Sequence, residues 1–63
     1  MTNSQFNKGT KAKVIRHGYS VPVGRRGFVV QDQGFGWVVF GWENEYGNVD
    51  CQSLPIEILE VIK

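Results

Sequence analysis

Cysteine and histidine are nearly missing from this chain of 63 residues, which has one of each, Cys51 and His17. A single cysteine cannot form an intrachain disulfide, and these two side chains cannot supply the four ligands of a structural zinc site. A chain this short buries only about 60% of the surface that its unfolded form exposes. The core therefore has to be compact, and self-association is a hypothesis for how the fold gains further stability.

Long apolar runs are also absent. No stretch approaches the roughly 18 apolar residues of a membrane-spanning helix, and residues 1–7 lack the basic and apolar pattern of a secretory signal. The sequence therefore predicts a cytoplasmic protein without a membrane partner, and the lone thiol agrees with that prediction. Residues 1–7 are predicted to be a flexible N-terminal tail, and residues 8–63 a single barrel domain.

Helical periodicity is absent too, and eight glycines interrupt the chain. Between them lie short runs of β-branched and aromatic residues, which predict strands at residues 11–15, 27–31, 36–40, 49–53 and 58–62. A long first loop at residues 17–24, a turn at 32–34, a polar loop at 43–48 and a tight helical turn after Pro55 are predicted between them. Such strands predict an all-β fold in the form of a small closed or nearly closed barrel, and closure would suit so short a chain because it removes open strand edges.

Alternation along these strands predicts a core of Ala12, Val14, Val29, Val38 and Phe40. It sends a second apolar set to the outer face: Phe28, Val30, Trp37 and Val39. A contiguous apolar patch on a protein of this size usually has something bound to it, so the outer face is a candidate contact surface. Cys51 is expected to be a small core residue, and Gly27 is expected to let a neighbouring strand approach closely.

Candidate catalytic motifs fail their requirements. Cys51 and His17 form the one conceivable nucleophile–base pair, and nothing in their spacing brings them together. Glu43 and Glu45 lie in a polar loop, where solvation explains them. The glycines have neither the spacing nor the following helix of a phosphate-binding loop. The sequence thus predicts no enzyme activity, no cofactor and no metal site.

Charge is distributed unevenly. All six charged residues among the first 31 are basic, and six of the seven from residue 32 onward are acidic. One interpretation is a bipolar protein whose basic face meets phosphate or an acidic partner. The other is that strands from the two halves pair, so that opposite charges lie side by side and cancel.

Two stretches of the chain resemble the KOW motif. Residues 8–15 read Lys-Gly-Thr-Lys-Ala-Lys-Val-Ile, and residues 24–30 read Gly-Arg-Arg-Gly-Phe-Val-Val. They are similar to the lysine–glycine strand start and the glycine-x-x-glycine-x-valine second strand of that motif. Residues 53–61 also resemble the short turn and the leucine–glutamate last strand of many SH3-like barrels. The resemblance implies an SH3-like five-stranded barrel, in a family whose modules bind RNA or other proteins.

The chain also resembles the plasmid-encoded trimethoprim-resistant dihydrofolate reductases, which are SH3-like barrels with an active pore formed by four subunits. The likeness lies in the glycine-led first strand and the leucine–glutamate ending. Their ligand-binding Val-Gln-Ile-Tyr stretch has no match here, since residues 49–52 read Val-Asp-Cys-Gln. Asp50 in such a pore would repel anionic folate and an anionic dinucleotide. This resemblance implies one hypothesis for function, an oligomeric enzyme of this kind.

Aromatic residues close to basic ones favour a non-enzymatic module that binds a protein partner. Such a module would itself be a small regulatory or inhibitory protein. The predicted partner-binding residues are Arg16, His17, Tyr19, Arg25, Arg26, Phe28 and Trp37. The alternative is single-stranded nucleic acid, with bases stacked on aromatic rings and phosphates on basic side chains. The predicted residues for that alternative are Lys11, Lys13, Tyr19, Arg25, Arg26 and Trp37. In a third interpretation the outer aromatic residues cover the barrel's open end or lie in a homo-oligomer interface.

Overall fold

A computed structural model describes residues 6–62, and in that range the chain forms five antiparallel strands in one sheet. The sheet order is β4-β3-β2-β1-β5. The strands are β1 (Lys11–Val14), β2 (Arg26–Gly34), β3 (Trp37–Glu43), β4 (Val49–Pro55) and β5 (Leu59–Val61), with one turn of 3-10 helix (Ile56–Ile58) before β5. This architecture confirms the prediction of a small all-β, SH3-like barrel. The strands β4 and β5 end the sheet and are not paired with each other, so hydrogen bonds do not close the barrel. None of the described residues belongs to a helix that is long and apolar enough to cross a membrane.

The hairpin between β2 and β3 differs from the prediction. The turn predicted at residues 32–34 is wrong, because β2 continues to Gly34 and the turn consists of Phe35 and Gly36. Register shifts after Val29 and after Asp32 mark irregularities that let β2 bend without ending. The Asp32 carboxylate accepts a hydrogen bond of 2.8 Å from the Gly34 N–H, so a residue typical of turns stabilises a bulge here.

The other strands differ from the prediction only at their ends. β3 continues beyond Phe40 to Glu43, and β4 continues to Pro55. The tight helical turn predicted after Pro55 is present and delays β5 until Leu59.

The core contains all five residues predicted for it, and each is at most 1% exposed. Two further core residues come from outside the strands and the 3-10 turn. Phe6, in the stretch predicted as a flexible tail, is 7% exposed, and Val21, in the first loop, is 2% exposed. Residues 1–5 of the predicted tail lie outside the described residues. The remaining core residues are Leu54, Ile58 and Leu59.

Strands β2 and β3 approach closely at two glycines. A Cβ on Gly27 would lie 2.1 Å from the carbonyl oxygen of Gly41 and 2.7 Å from the ring of Phe40. A Cβ on Gly41 would lie 2.7 Å from Val30 and 3.2 Å from the ring of Phe28. Gly27 therefore makes room inside the barrel and Gly41 makes room outside it, which confirms the close approach predicted at Gly27.

Candidate functional site

The loop between β1 and β2 folds back onto the barrel. Its ends are joined by hydrogen bonds from Gly24 N–H to the Val14 carbonyl (2.8 Å) and from Val14 N–H to the Arg25 carbonyl (2.9 Å). In its middle, Val21 is buried in the core. The Ser20 hydroxyl donates a hydrogen bond to the Gln52 side chain on β4. These contacts fix the loop against the sheet and so position the side chains that it carries.

The loop places Tyr19 against Trp37 at the start of β3. The ring centroids lie 6.2 Å apart with an interplanar angle of 80°, which is an edge-to-face contact. Each residue is still 40% exposed, so a large part of both rings faces solvent. Such a pair contributes about 0.5–1.5 kcal/mol beyond the burial of its area. The pair is therefore ordered and accessible at the same time.

Phe35 lies at the tip of the hairpin, two positions before Trp37, and is 88% exposed. Its φ is 55° and that of Gly36 is 83°. A two-residue hairpin turn with positive φ at both central positions is a type I′ turn, which favours Asn-Gly. A phenylalanine in this conformation is strained by about 1–2 kcal/mol, and its exposed ring offers no burial in return. Phe35 lies close in the chain to Trp37 of the Tyr19–Trp37 pair, and we call these three residues together the aromatic corner.

The prediction did not include Phe35. The available signal was an aromatic residue between two glycines, Gly34 and Gly36, which can be read as an ordinary turn. Its significance depends on the backbone conformation, which a sequence pattern does not give.

Phe28 lies on a different part of the surface. In register it is opposite Lys11 on β1 and Gly41 on β3. Gly41 is four positions from Trp37, a separation of about 13 Å along a strand. Phe28 lines an open groove of about 580 Å³ together with Gly9, Lys11, Arg26, Gly27, Glu43 and Ile62. We call this the outer groove.

Two of the predicted basic residues lie near acidic residues from the other half of the chain. Arg25 is half-buried and lines a cavity of about 340 Å³ together with Glu45 and Asp50. Lys13 forms an ion pair of 3.6 Å with Glu60 across the β1–β5 ladder. These contacts favour the interpretation in which charges of the two halves lie side by side.

The predicted partner-binding residues are thus divided among several places. Arg16 and His17 are exposed in the first loop, near Tyr19 in the sequence. Arg26 lies in the outer groove with Phe28, and Arg25 lies in the cavity with acidic residues. The two arginines also line an open pocket together with Pro22 and Gly24 of the first loop. The first loop and Trp37 form one surface, and Phe28 belongs to another.

The prediction of Cys51 as a core residue is wrong, because its side chain is exposed. In register, Gln52 and Leu54 lie opposite the core residues Phe40 and Val38, so β4 turns its odd-numbered side chains outward. His17 is also exposed. Within residues 6–62, no group of three or more His, Cys, Asp or Glu side chains could hold a metal ion.

No family model, no curated protein and no solved structure matches this chain. The class that the structure itself defines is a small SH3-like barrel with two accessible surfaces, the aromatic corner and the outer groove. The resemblances to KOW modules and to the dihydrofolate reductases stay predictions.

Proposed function

We propose that the protein is a non-enzymatic binding module that recognises a protein partner through the aromatic corner. The observation that carries this proposal is Phe35, a ring that is 88% exposed at a φ of 55°. Strained residues that do not serve the stability of the free chain concentrate at functional sites. Burial of the ring against a partner would contribute about 25 cal/mol for each Å² of apolar surface removed from water.

The neighbouring Tyr19–Trp37 pair supports the same proposal. Tyrosine and tryptophan are enriched among the residues that dominate protein–protein binding energy. The two rings are held edge to face before binding, so little side-chain entropy is lost when a partner covers them. An ordered, half-exposed aromatic pair, with an exposed ring two positions from Trp37 in the chain, resembles the centre of a protein interface more than the surface of an isolated domain.

The distribution of charge around the corner also favours a protein over a nucleic acid. Affinity for nucleic acid depends strongly on the number of phosphates that cations neutralise. Of the predicted basic residues, Arg16 and His17 share the first loop with Tyr19. Arg25 lines a cavity with Glu45 and Asp50, and Lys13 is paired with Glu60. The carboxylates near Arg25 and Lys13 would compete with phosphate, which disfavours nucleic acid.

The test is affinity capture from lysate with the immobilised full chain and matched variants, followed by quantitative mass spectrometry. Proteins retained by the unaltered chain should fall by about tenfold or more on Phe35→Asn and Trp37→Ala, the loss expected when a hot-spot residue is removed. Tyr46→Asn is the control, because Tyr46 is 81% exposed in the β3–β4 turn, at the other end of β3. Equal retention on all four columns, or no retained protein on any, would contradict the proposal.

The outer groove supports a second candidate function, the binding of single-stranded nucleic acid. Lys11 and Arg26 line the groove together with Phe28 and one acidic residue, Glu43. Lys13 lies opposite Arg26 in the ladder, where it is paired with Glu60. Among the described residues neither Lys11 nor Arg26 forms an ion pair. A base stacked on Phe28 would have cations within reach of its flanking phosphates.

Fluorescence anisotropy with random single-stranded RNA, single-stranded DNA and duplex tests this second function. With two phosphate contacts, from Lys11 and Arg26, affinity for a single strand should fall by about sevenfold between about 50 and 200 mM salt. Arg26→Gln should flatten that salt dependence, whereas Phe35→Asn should leave it unchanged. Absence of binding at the lower salt concentration would exclude the outer groove as a nucleic-acid site.

A further inference from the structure

The two edges of the sheet differ in length and in protection. The sheet order places β4 and β5 at the edges. β5 has three residues, and a short strand is a common way of making an edge unattractive to other strands. β4 has seven residues, Val49–Pro55, and its first five are exposed or only half-buried. β4 is therefore the edge that can accept another strand.

The hydrogen bonds at the two ends of the β3–β4 ladder show which backbone groups of β4 face outward. Ile56 N–H donates to the Gly36 carbonyl, and Asn44 N–H donates to the Asn48 carbonyl, each at 2.8 Å. Both pairs continue the register of the ladder. Because bonded and non-bonded pairs alternate in an antiparallel ladder, the residues of β4 that bond to β3 are Asp50, Gln52 and Leu54.

The N–H and C=O groups of Val49, Cys51 and Ser53 therefore point away from β3. Within residues 6–62 these groups have no backbone partner outside the ladder. The side chains of the same residues lie on the outer face and are exposed. The free edge thus presents three donors and three acceptors in a regular alternation, which is the template that strand addition uses.

We propose that this edge pairs with the β4 edge of a second copy of the chain, antiparallel, about a two-fold axis at Cys51. In this register Cys51 lies opposite Cys51 of the other copy, and Val49 lies opposite Ser53. All outward backbone groups of these residues are then hydrogen-bonded. The two barrels form one continuous sheet through their β4 strands.

The self-complementarity of the edge identifies the occupant as a second copy. An axis at Asp50 would place two carboxylates directly opposite each other, which destabilises a strand pair. An axis at Gln52 would place Val49 opposite Pro55, which has no N–H to donate. The axis at Cys51 instead places Asp50 opposite Gln52 and sets no charge against a like charge. A two-fold interface requires this match of a surface to itself.

The single cysteine of the chain makes a direct test possible. Across a hydrogen-bonded antiparallel pair, the two Cα atoms of Cys51 would lie about 5.5 Å apart, within the range of about 4.4–6.8 Å that a disulfide spans. Mild oxidation of the full chain should therefore produce a covalent dimer. In reducing buffer, sedimentation velocity over a range of concentrations should show a reversible dimer.

A matched variant separates this register from random collision. In the double variant Cys51→Ser, Ser53→Cys the thiol stays on the same exposed side of β4, but the two thiols are four positions out of register, about 13 Å apart. Its covalent dimer should form more slowly than that of the unaltered chain, by about tenfold or more. Equal rates for the two proteins would overturn the proposed register.

Cys51→Lys tests the pairing itself, because it places two like charges opposite each other at an exposed position of the strand. The variant should keep its circular dichroism spectrum and sediment as a monomer, with dimerisation weakened about tenfold or more. A monomeric unaltered chain at every concentration, or a dimer unaffected by this substitution, would overturn the proposal. Neither result bears on the aromatic corner, since the two proposals depend on different residues.

Discussion

The two ends of the β2–β3 pair differ in the size of the side chains that they accommodate. At Gly27 and Gly41 a single added carbon would collide with a backbone oxygen or with packed side chains. At Phe35 a large ring is 88% exposed, on a backbone with a φ of 55° that favours glycine or asparagine. Packing explains the glycines completely. The phenylalanine instead lowers the stability of the free chain. The comparison therefore separates residues that stabilise the barrel from residues that are exposed for binding.

The largest expected effect is that of Gly27→Ala. The new Cβ would meet the Gly41 carbonyl oxygen at 2.1 Å, and backbone cannot move aside without parting β2 from β3. We expect a loss of about 3 kcal/mol or more in the free energy of unfolding, at the upper end for overpacked sites. Urea unfolding followed by circular dichroism measures this as a lower midpoint.

Gly41→Ala is the matched control for that substitution. Its Cβ would meet side chains, Val30 at 2.7 Å and Phe28 at 3.2 Å, which are only half-buried and can shift more easily than backbone. We expect a loss of about 1–2 kcal/mol. If the two alanine variants lost equal stability, the argument that Gly27 is constrained by backbone would be wrong.

Phe35→Asn should have the opposite sign. Asparagine adopts the left-handed conformation more readily, and no buried contact is lost, so we expect a gain of about 1 kcal/mol in the free energy of unfolding. The same variant should weaken capture of the protein partner. Tyr46→Asn, which removes a similarly exposed ring in the β3–β4 turn, should change neither quantity.

A stability loss on Phe35→Asn would show that the ring supports the fold. In that case the strain at residue 35 would no longer indicate a binding role. Phe35 would then stabilise the barrel as the two glycines do, and the contrast between the two regions would be wrong.

The contact between Tyr19 and Trp37 joins the two kinds of region, because it is both structural and accessible. A double-mutant cycle with Tyr19→Ala and Trp37→Ala should give a coupling of about 0.5–1.5 kcal/mol in unfolding free energy. Coupling near zero would mean that the first loop does not hold Tyr19 against the sheet in solution.

The barrel was predictable because short-range signals agree with one another along most of the chain. Strand alternation identifies Val29, Val38 and Phe40 as core residues, and each is fully buried. The prediction fails at the β2–β3 hairpin, where the turn-forming residues around Asp32 stabilise a bulge and an atypical Phe-Gly pair makes the turn. The sequence rules for turns thus fail at Phe35, where the chain has a residue that its backbone conformation disfavours.

The candidate site was predictable only in part, because its geometry depends on contacts between distant segments. Tyr19 and Trp37 stand out by residue type, but their contact requires a loop held by Val21 and by the bond from Ser20 to Gln52. Nothing in the local sequence of the loop predicts that Val21 is buried. Cys51 was misplaced for the same reason, since the face that it occupies is set by the register with β3.

The smallest expected effect concerns the ion pair between Lys13 and Glu60, which is the most visible charged contact of the barrel. The Lys13 Nζ lies 3.6 Å from the Glu60 carboxylate, and the two side chains are 35% and 57% exposed. Solvent screens such a pair, so Lys13→Ala should lower the free energy of unfolding by about 0.5 kcal/mol or less, and added salt should reduce even that difference. Urea unfolding of both proteins at low and high salt measures it. A loss as large as that of Gly41→Ala would mean that surface charge pairing, and not close packing at two glycines, holds β1 and its neighbours together.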